Sequence, residues 1–270
     1  FCSAIFLPLI LLSQYTHVLD SSIFHVGTGE WEMHRWIILK SVIVLLSWVF
    51  GYFAIAQLPL TIVGPINATR PVMTLVGAML VFGERLNAWQ WVGVSLAIIS
   101  LFLLARSGKR EGIDFKHNKW IFFLVLAAMM GTCSGLLDKY LMASPENGGV
   151  GLDRMMAQSW YNIYQCMMMG AILLVYIFNQ RKKAERTAHF SWKWSILLIS
   201  IFLSMADFAY FYALSLPGAM ISIVSMVRRG SVLVSFLCGA LLFREKNLKA
   251  KAIDLCFVLL GMIFLWIGSR

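Results

Sequence analysis

The feature that most constrains this chain is a series of long apolar runs. Each is about 20 residues long, enough for a helix to cross the ~30 Å hydrocarbon core of a bilayer. Backbone groups in lipid must pair internally, and the runs are too long and too continuous for barrel strands, so each is predicted to be a helix. Full-length runs lie at 36–58, 60–82, 88–106, 119–143, 155–179, 192–215, 218–243 and 249–268, and a partial one opens the chain at 1–18.

Composition agrees with this pattern. Hydrophobic residues make up 60% of the chain and charged residues 13%, far from the balance of a soluble domain. The connections between runs are too short to hold a soluble domain or a basic nucleic-acid-binding patch. The sequence therefore predicts an all-α membrane protein, a polytopic helical bundle in contact with membrane lipid, and no nucleic-acid partner.

A shift of 158 residues aligns the two halves of the chain. The halves are interpreted as tandem repeats, at 1–107 and 119–270. The first repeat lacks a counterpart to 119–158, so about nine helices are expected here and the first of ten is expected to be missing. Repeats of five helices enter the membrane in opposite orientations, as in many secondary transporters. Matched pairs are Trp36 with Trp194, Phe50 with Phe208, Tyr52 with Tyr210, Leu58-Pro59 with Leu216-Pro217, and Arg70 with Arg228.

Basic residues are concentrated on one predicted face of the membrane. The connections 106–119, 181–193 and 244–251 carry 14 of the 23 lysines and arginines. The positive-inside rule makes this face cytoplasmic.

Four ionisable residues lie well inside apolar runs: Arg70, Arg228, Arg229 and Asp207. A charge near the bilayer centre costs at least ~2.5 kcal/mol, so such residues usually face a cavity or a partner. Two interpretations of the arginines stay open, namely binding of an anionic substrate and structural pairing with buried acids. Asp207 is either the partner of one arginine or a carboxylate that couples transport to protons.

Polar residues accompany these arginines at helical spacing. Asn67 lies three positions before Arg70, and Ser225 three positions before Arg228, so each arginine is predicted to lie on a narrow polar face. Tyr210 is a further candidate for the lining of a cavity. Small polar residues at these positions are also common in the packing between membrane helices.

Signs of catalysis or of a bound metal are missing from the sequence. It has no His-Glu-x-x-His and no Cys-x-x-Cys, and all five histidines lie in or beside connections. An enzyme, a metal site and a cofactor are therefore not expected. The oligomeric state is not predicted.

Two stretches resemble the EamA-type branch of the drug/metabolite transporter superfamily, which is built from two five-helix repeats. They are "RPVMTLVGAMLVFGERLNAWQWVGVSLAIIS" (70–100) and "GSVLVSFLCGALLFREKNLKAKAIDLCFVLLGMIFL" (230–265). Pro71 and Gly83-Glu84 match the end of the family's repeat, whereas the second repeat has Val232 and Arg244 at the Pro and Gly positions. The resemblance implies a multi-pass transporter, and the EamA-like character of the chain points to a bacterial inner membrane.

A finer likeness concerns "MVRRGSVLVS" (226–235). It is similar to a stretch of the plastid sugar-phosphate translocators, in which a Lys-Arg pair holds phosphate; Arg228 and Arg229 occupy those positions. These features lead to the hypothesis of a secondary transporter that moves a small organic anion by alternating access. Exchange of one anion for another is its corollary if the empty site keeps its positive charge. The alternative is a proton-coupled exporter of amino acids or amphipathic drugs that uses Asp207 as its coupling group.

Overall fold

The computed structural model describes residues 2–20, 22–58, 63, 66–67, 70–83, 85–109, 119–182, 192–216 and 218–228, with the C-terminal positions 256–257, 260–261, 263–264 and 267–268. These residues form helices, turns and connections, and no strand occurs among them. The helices are α1 (Cys2–Tyr15), α2 (Trp31–Gln57), α3 (Arg70–Phe82), α4 (Ala88–Lys109), α5 (Lys119–Met142), α6 (Arg154–Lys182), α7 (Trp194–Ser215) and α8 (Ile221–Arg228).

Four of these helices, α2, α5, α6 and α7, are long and apolar enough to cross a bilayer. Their bounds lie within a few residues of the apolar runs seen in the sequence. The predicted all-α polytopic membrane fold is therefore confirmed. The runs at 60–82, 218–243 and 249–268 lie only partly within the described residues.

Side chains at two helix starts satisfy backbone groups that the helices leave unpaired. At α4, Asn87 Oδ1 accepts from the Gln90 backbone N–H at 2.9 Å, and Gln90 Oε1 accepts from the Asn87 N–H at 3.0 Å. This reciprocal pair is a capping box with an amide in place of the usual hydroxyl. At α6, Asp153 Oδ2 accepts from the Met156 N–H at 3.0 Å, which caps that helix in the same way.

The connection between α5 and α6 folds back onto the end of α5. The Val150 N–H donates to the Tyr140 carbonyl at 3.0 Å, and the Leu152 N–H donates to the Leu141 carbonyl at 2.7 Å. These bonds pair carbonyls that lack a partner at the end of a helix. They fix the last turns of α5, which carry Asp138.

The chain forms two compact units, and each joins two separate stretches. The first unit consists of Phe1–Leu45 and Leu137–Pro217, and the second of Leu46–Leu136 and Gly218–Arg270. These units do not test the division of the sequence into repeats at 1–107 and 119–270, which stays a prediction.

In the first unit, α1 packs against α6 and α7, and these two helices also pack against each other. The core between them contains Phe6, Ile10, Val26 and Met155. The segment before α2 returns to this core, because the Val26 N–H donates to Ser13 Oγ at 3.0 Å. Burial of these side chains places the inner faces of α6 and α7 within the unit.

In the second unit, the C-terminal half of α2 packs on the N-terminal half of α5 through Ala54, Leu58, Ile121 and Leu124. A second cluster joins α3 to α4 at Leu75 and Val94. Helix α3 also packs against α8. The contact between α3 and α8 brings together the helices that carry Arg70 and Arg228.

Candidate functional site

Two of the predicted arginines lie near each other in the second unit. Arg70 is the first residue of α3 and Arg228 the last residue of α8, and these helices pack against each other. The positive charge of Arg228 is close enough to act on Arg70. Like charges at short range repel, so this arrangement favours the presence of an anion.

The Arg70 guanidinium is poorly satisfied by the protein. Its Nη2 donates to the Ala127 carbonyl at 3.4 Å, a long bond to an oxygen that Ser47 Oγ already contacts at 2.8 Å. Its Nε is buried and has no hydrogen-bond partner within the described part of the chain. The same holds for Asn67 Oδ1, three positions before Arg70. Buried polar atoms are rarely left unpaired in proteins, so this region has unused capacity for a polar ligand.

Gly131 on α5 provides the space that the guanidinium occupies. A Cβ at this position would lie 3.1 Å from Arg70 Cζ and 3.1 Å from its Nη1. Nearby on α5, the Thr132 hydroxyl is buried and unpartnered among the residues described. The glycine lets α5 approach the flat guanidinium closely, and it fixes one wall of the site.

The planar guanidinium of Arg70 has a defined chemical use. Its donors form a rigid fork that matches carboxylate and phosphate oxygens. Ser225, on α8, is half-buried three positions before Arg228. An arginine fork beside a second cation is an arrangement that can bind an anion.

A second charged cluster lies in the first unit. Lys40 Nζ on α2 lies 2.7 Å from Asp138 Oδ1 on α5, and the two side chains are only 4% and 7% exposed. The Lys40 ammonium also lies 4.0 Å from the centre of the Phe211 ring and 4.5 Å from that of Tyr161. A buried ion pair is favourable only with close geometry and further contacts, and this pair has both.

One stripe of α6 carries polar groups on either side of Tyr161, whose ring contacts Lys40. Gln158, Tyr161 and Gln165 are buried and spaced so that they share a face of the helix. Gln165 Nε2 donates to the Ser41 carbonyl at 2.9 Å, and Gln158 Nε2 donates to the Ser204 carbonyl at 2.8 Å. The Oε1 atoms of both glutamines are buried without a partner in the described structure.

Asp207 and Tyr210 belong to α7 in the first unit. Asp207 is half-buried and shares a helical stripe with Ser204 and Phe211, whereas Tyr210 is buried beside that stripe. Helix α7 therefore carries Asp207 on the side that contributes Phe211 to the Lys40 contacts. Whether Asp207 pairs with an arginine stays a prediction.

The structure thus brings Arg70, Arg228, Asn67 and Ser225 into one unit, and Asp207 and Tyr210 into the other. Arg229 lies outside the described residues. The Lys40–Asp138 pair was missed in the sequence, although a lysine a few residues inside the run 36–58 is a signal of the same kind as Arg70. Gly131 was missed as well, because nothing in the sequence indicates that it lies under a guanidinium.

Membrane-spanning apolar helices with buried charges between them define a multi-pass integral membrane protein. Residues 1–106 match the EamA-like transporter family. The predicted resemblance is thereby confirmed over that range, and the matched family is one of membrane transporters of small molecules. No curated protein shows significant similarity to the chain.

Proposed function

We propose that this protein is a secondary transporter that moves a small organic anion across the membrane by alternating access. The observation that supports this most directly is the Arg70 guanidinium, whose buried Nε has no protein partner among the described residues while a second arginine lies nearby. An anion bound between Arg70 and Arg228 would accept from the Arg70 Nε, which is unpaired among the described residues, and would offset the repulsion between the two charges. Arg229 is proposed to contribute from the next position in the sequence.

The electrostatics of a membrane interior favour this assignment over a structural role. A cation near the bilayer centre costs at least ~2.5 kcal/mol on insertion scales, and a transporter offsets that cost when substrate binds. The described contacts of Arg70 include a backbone carbonyl and a neighbouring cation. An arginine that served only to hold helices together would be expected to have a closely bound carboxylate.

The chemistry of the donors narrows the substrate class. A guanidinium fork suits two oxygens in one plane, as in a carboxylate or a phosphate monoester. Asn67 Oδ1 and Thr132 Oγ1 add an acceptor and a hydroxyl for further polar groups of the substrate. If the empty site keeps its positive charge, the empty carrier crosses slowly and exchange of one anion for another is favoured. We place this transport in a bacterial inner membrane.

Transport by reconstituted protein tests the proposal. The full chain in liposomes should take up at least one of succinate, glycerol 3-phosphate and inorganic phosphate. Arg70→Ala and Arg228→Ala should each lower the initial rate at least tenfold, since each removes about 1.4 kcal/mol or more of substrate binding. Arg85→Ala is the matched control, because Arg85 is exposed in the connection between α3 and α4. Normal anion uptake by both site variants would overturn the proposal.

A second candidate function rests on Asp207. This carboxylate is half-buried on the stripe of α7 that also carries Ser204, whose carbonyl binds Gln158. In this version the protein is a proton-coupled exporter of amino acids or amphipathic compounds, and Asp207 carries the proton. Asp207→Asn should then abolish the response of export to an imposed pH gradient. Retained coupling in that variant would eliminate this candidate.

A further inference from the structure

The Lys40–Asp138 pair has a charge balance that limits what can bind to it. The pair is buried and the two side chains carry opposite charges, so together they are neutral. A lone anion bound to Lys40 would leave one uncompensated negative charge in a buried site, which is strongly unfavourable. An anion that arrives with a proton leaves the total charge at zero.

The surroundings of the pair hold Lys40 through contacts that do not involve Asp138. The Lys40 ammonium lies over the faces of Phe211 and Tyr161, at 4.0 Å and 4.5 Å from the ring centres. Both distances are within the range of cation–π attraction, so these rings add to the stabilisation that a carboxylate gives. Lys40 therefore keeps two contacts when another carboxylate takes the place of Asp138.

The glutamines of α6 indicate the rest of the ligand. Gln158 and Gln165 each donate to a backbone carbonyl through Nε2, which fixes the orientation of both amides. Their Oε1 atoms are consequently acceptors, and both are buried without a described partner. Buried acceptors on the stripe that also carries Tyr161 suit the hydroxyl groups of a ligand.

We infer that the Lys40–Asp138 pair is a binding site for a small hydroxycarboxylate anion together with one proton. The proton moves from water to a carboxylate oxygen of Asp138, and the ligand's carboxylate takes the place of Asp138 beside Lys40 Nζ. No bond other than that to the proton is made or broken. The site lies in the first unit and does not depend on Arg70 or Arg228, so this inference goes beyond the proposed function.

Other ionisable groups lie near the pair, and a test must distinguish proton uptake by these groups from proton uptake by Asp138. Tyr161 touches Lys40 directly, the His34 ring is held by Tyr164, and Arg154 lies over the Tyr212 ring at 4.7 Å. The charged and titratable side chains on the helices that contact the pair, within about three turns of it, are Glu32, His34 and Arg35 on α2, Cys133, Lys139 and Tyr140 on α5, Arg154, Tyr161, Tyr164 and Cys166 on α6, and Asp207, Tyr210 and Tyr212 on α7.

Calorimetry of L-lactate binding to the purified full chain tests the inference. Titrations in buffers of different ionisation enthalpy count the protons taken up with the ligand. The wild-type protein should take up about one proton per lactate, and its affinity should fall about tenfold per pH unit on the alkaline side of the transition. Propionate, which has the same charge and no hydroxyl group, should bind at least tenfold more weakly.

Variants assign the proton and the anion to their residues. Asp138→Asn should bind lactate without proton uptake and with an affinity that does not change with pH. Arg85→Ala, at an exposed residue in the connection between α3 and α4, should behave like the wild type. The proton uptake that accompanies lactate binding should persist in Arg70→Ala, which separates this site from the arginine site. The double variant Lys40→Met with Asp138→Asn keeps the site neutral and should lose lactate binding at least tenfold while its melting temperature is retained.

Three results would overturn the inference. They are the absence of lactate binding to the wild type, binding without proton uptake, and proton uptake that persists in Asp138→Asn. Loss of proton uptake in Asp207→Asn with retention in Asp138→Asn would assign the proton to Asp207 instead.

Discussion

Gly131 shows how one small residue can determine the geometry of a binding site. Its Cα–H faces the Arg70 guanidinium, and an added methyl group would lie 3.1 Å from two of the guanidinium atoms. That is closer than ordinary van der Waals contact, so the guanidinium would have to move by a few tenths of an ångström. Because the fork binds two oxygens at once, a displaced fork binds them less well.

Gly131→Ala should therefore separate stability from substrate binding. Alanine is more favourable than glycine inside a helix by roughly 0.5–1 kcal/mol, so the melting temperature should not fall markedly. The KM for the transported anion should rise about tenfold, which corresponds to about 1.4 kcal/mol. Gly170→Ala on α6 is the matched control, since nothing lies within 4 Å of the added methyl group. Equal KM values in the two variants would show that Gly131 does not position Arg70.

Lys40 should be a strong determinant of stability. Removal of one partner from a buried ion pair leaves an uncompensated charge and typically costs about 3–5 kcal/mol. Lys40→Met should therefore lower the melting temperature in detergent at neutral pH, and by less in acid, where Asp138 can take up a proton. The double variant Lys40→Met with Asp138→Leu should recover most of the loss. A single variant as stable as the wild type would show that the pair is not essential to the fold.

At the scale of elements, hydrogen bonds from α6 side chains to backbone carbonyls join it to two neighbouring helices. Gln165 reaches Ser41 on α2, and Gln158 reaches Ser204 on α7. Backbone N–H groups inside a helix are already paired with carbonyls of the same helix, so a side chain has to donate to a neighbouring helix. The carbonyls of Ser41 and Ser204 accept these bonds in addition to those within their own helices. These two bonds hold α6 against α2 and α7.

Gln165→Leu should loosen the contact between α6 and α2. The substitution removes a buried hydrogen bond but leaves the Ser41 carbonyl paired within its helix, so we expect a loss of about 0.5–1.5 kcal/mol in the free energy of unfolding. Hydrogen exchange should become faster around Ser41 in α2. Gln57→Leu is the control, because Gln57 is exposed at the end of α2 and should change neither quantity. Unchanged exchange at Ser41 would contradict this role for Gln165.

The helices could be predicted from the sequence, but the contacts between them could not. Length and continuity of an apolar run are enough to predict a helix in lipid, and α5 and α7 begin and end close to their predicted bounds. The Lys40–Asp138 pair joins helices that are far apart in the sequence, and no local pattern indicates which lysine meets which carboxylate. Gly131 under Arg70 is the same kind of contact.

At the scale of the whole molecule, the two clusters carry different net charges. The two charges of the Lys40–Asp138 pair cancel. The pair therefore does not alter the excess of positive charge that the sequence predicts at Arg70 and Arg228. The arginines could be predicted as a charged site because matched positions in the two predicted repeats hold the same costly residue. Their proximity depends on the packing of α3 against α8, which the sequence did not establish.

Stabilisation of the purified protein by anions tests the central claim most directly. A ligand at about 100 times its Kd stabilises the folded state by about 2.7 kcal/mol, which raises the melting temperature measurably. Succinate, glycerol 3-phosphate or inorganic phosphate should raise the melting temperature of the wild type and of Arg85→Ala, and should leave Arg70→Ala and Arg228→Ala unchanged. An equal rise in all four proteins would contradict an anion site at these arginines.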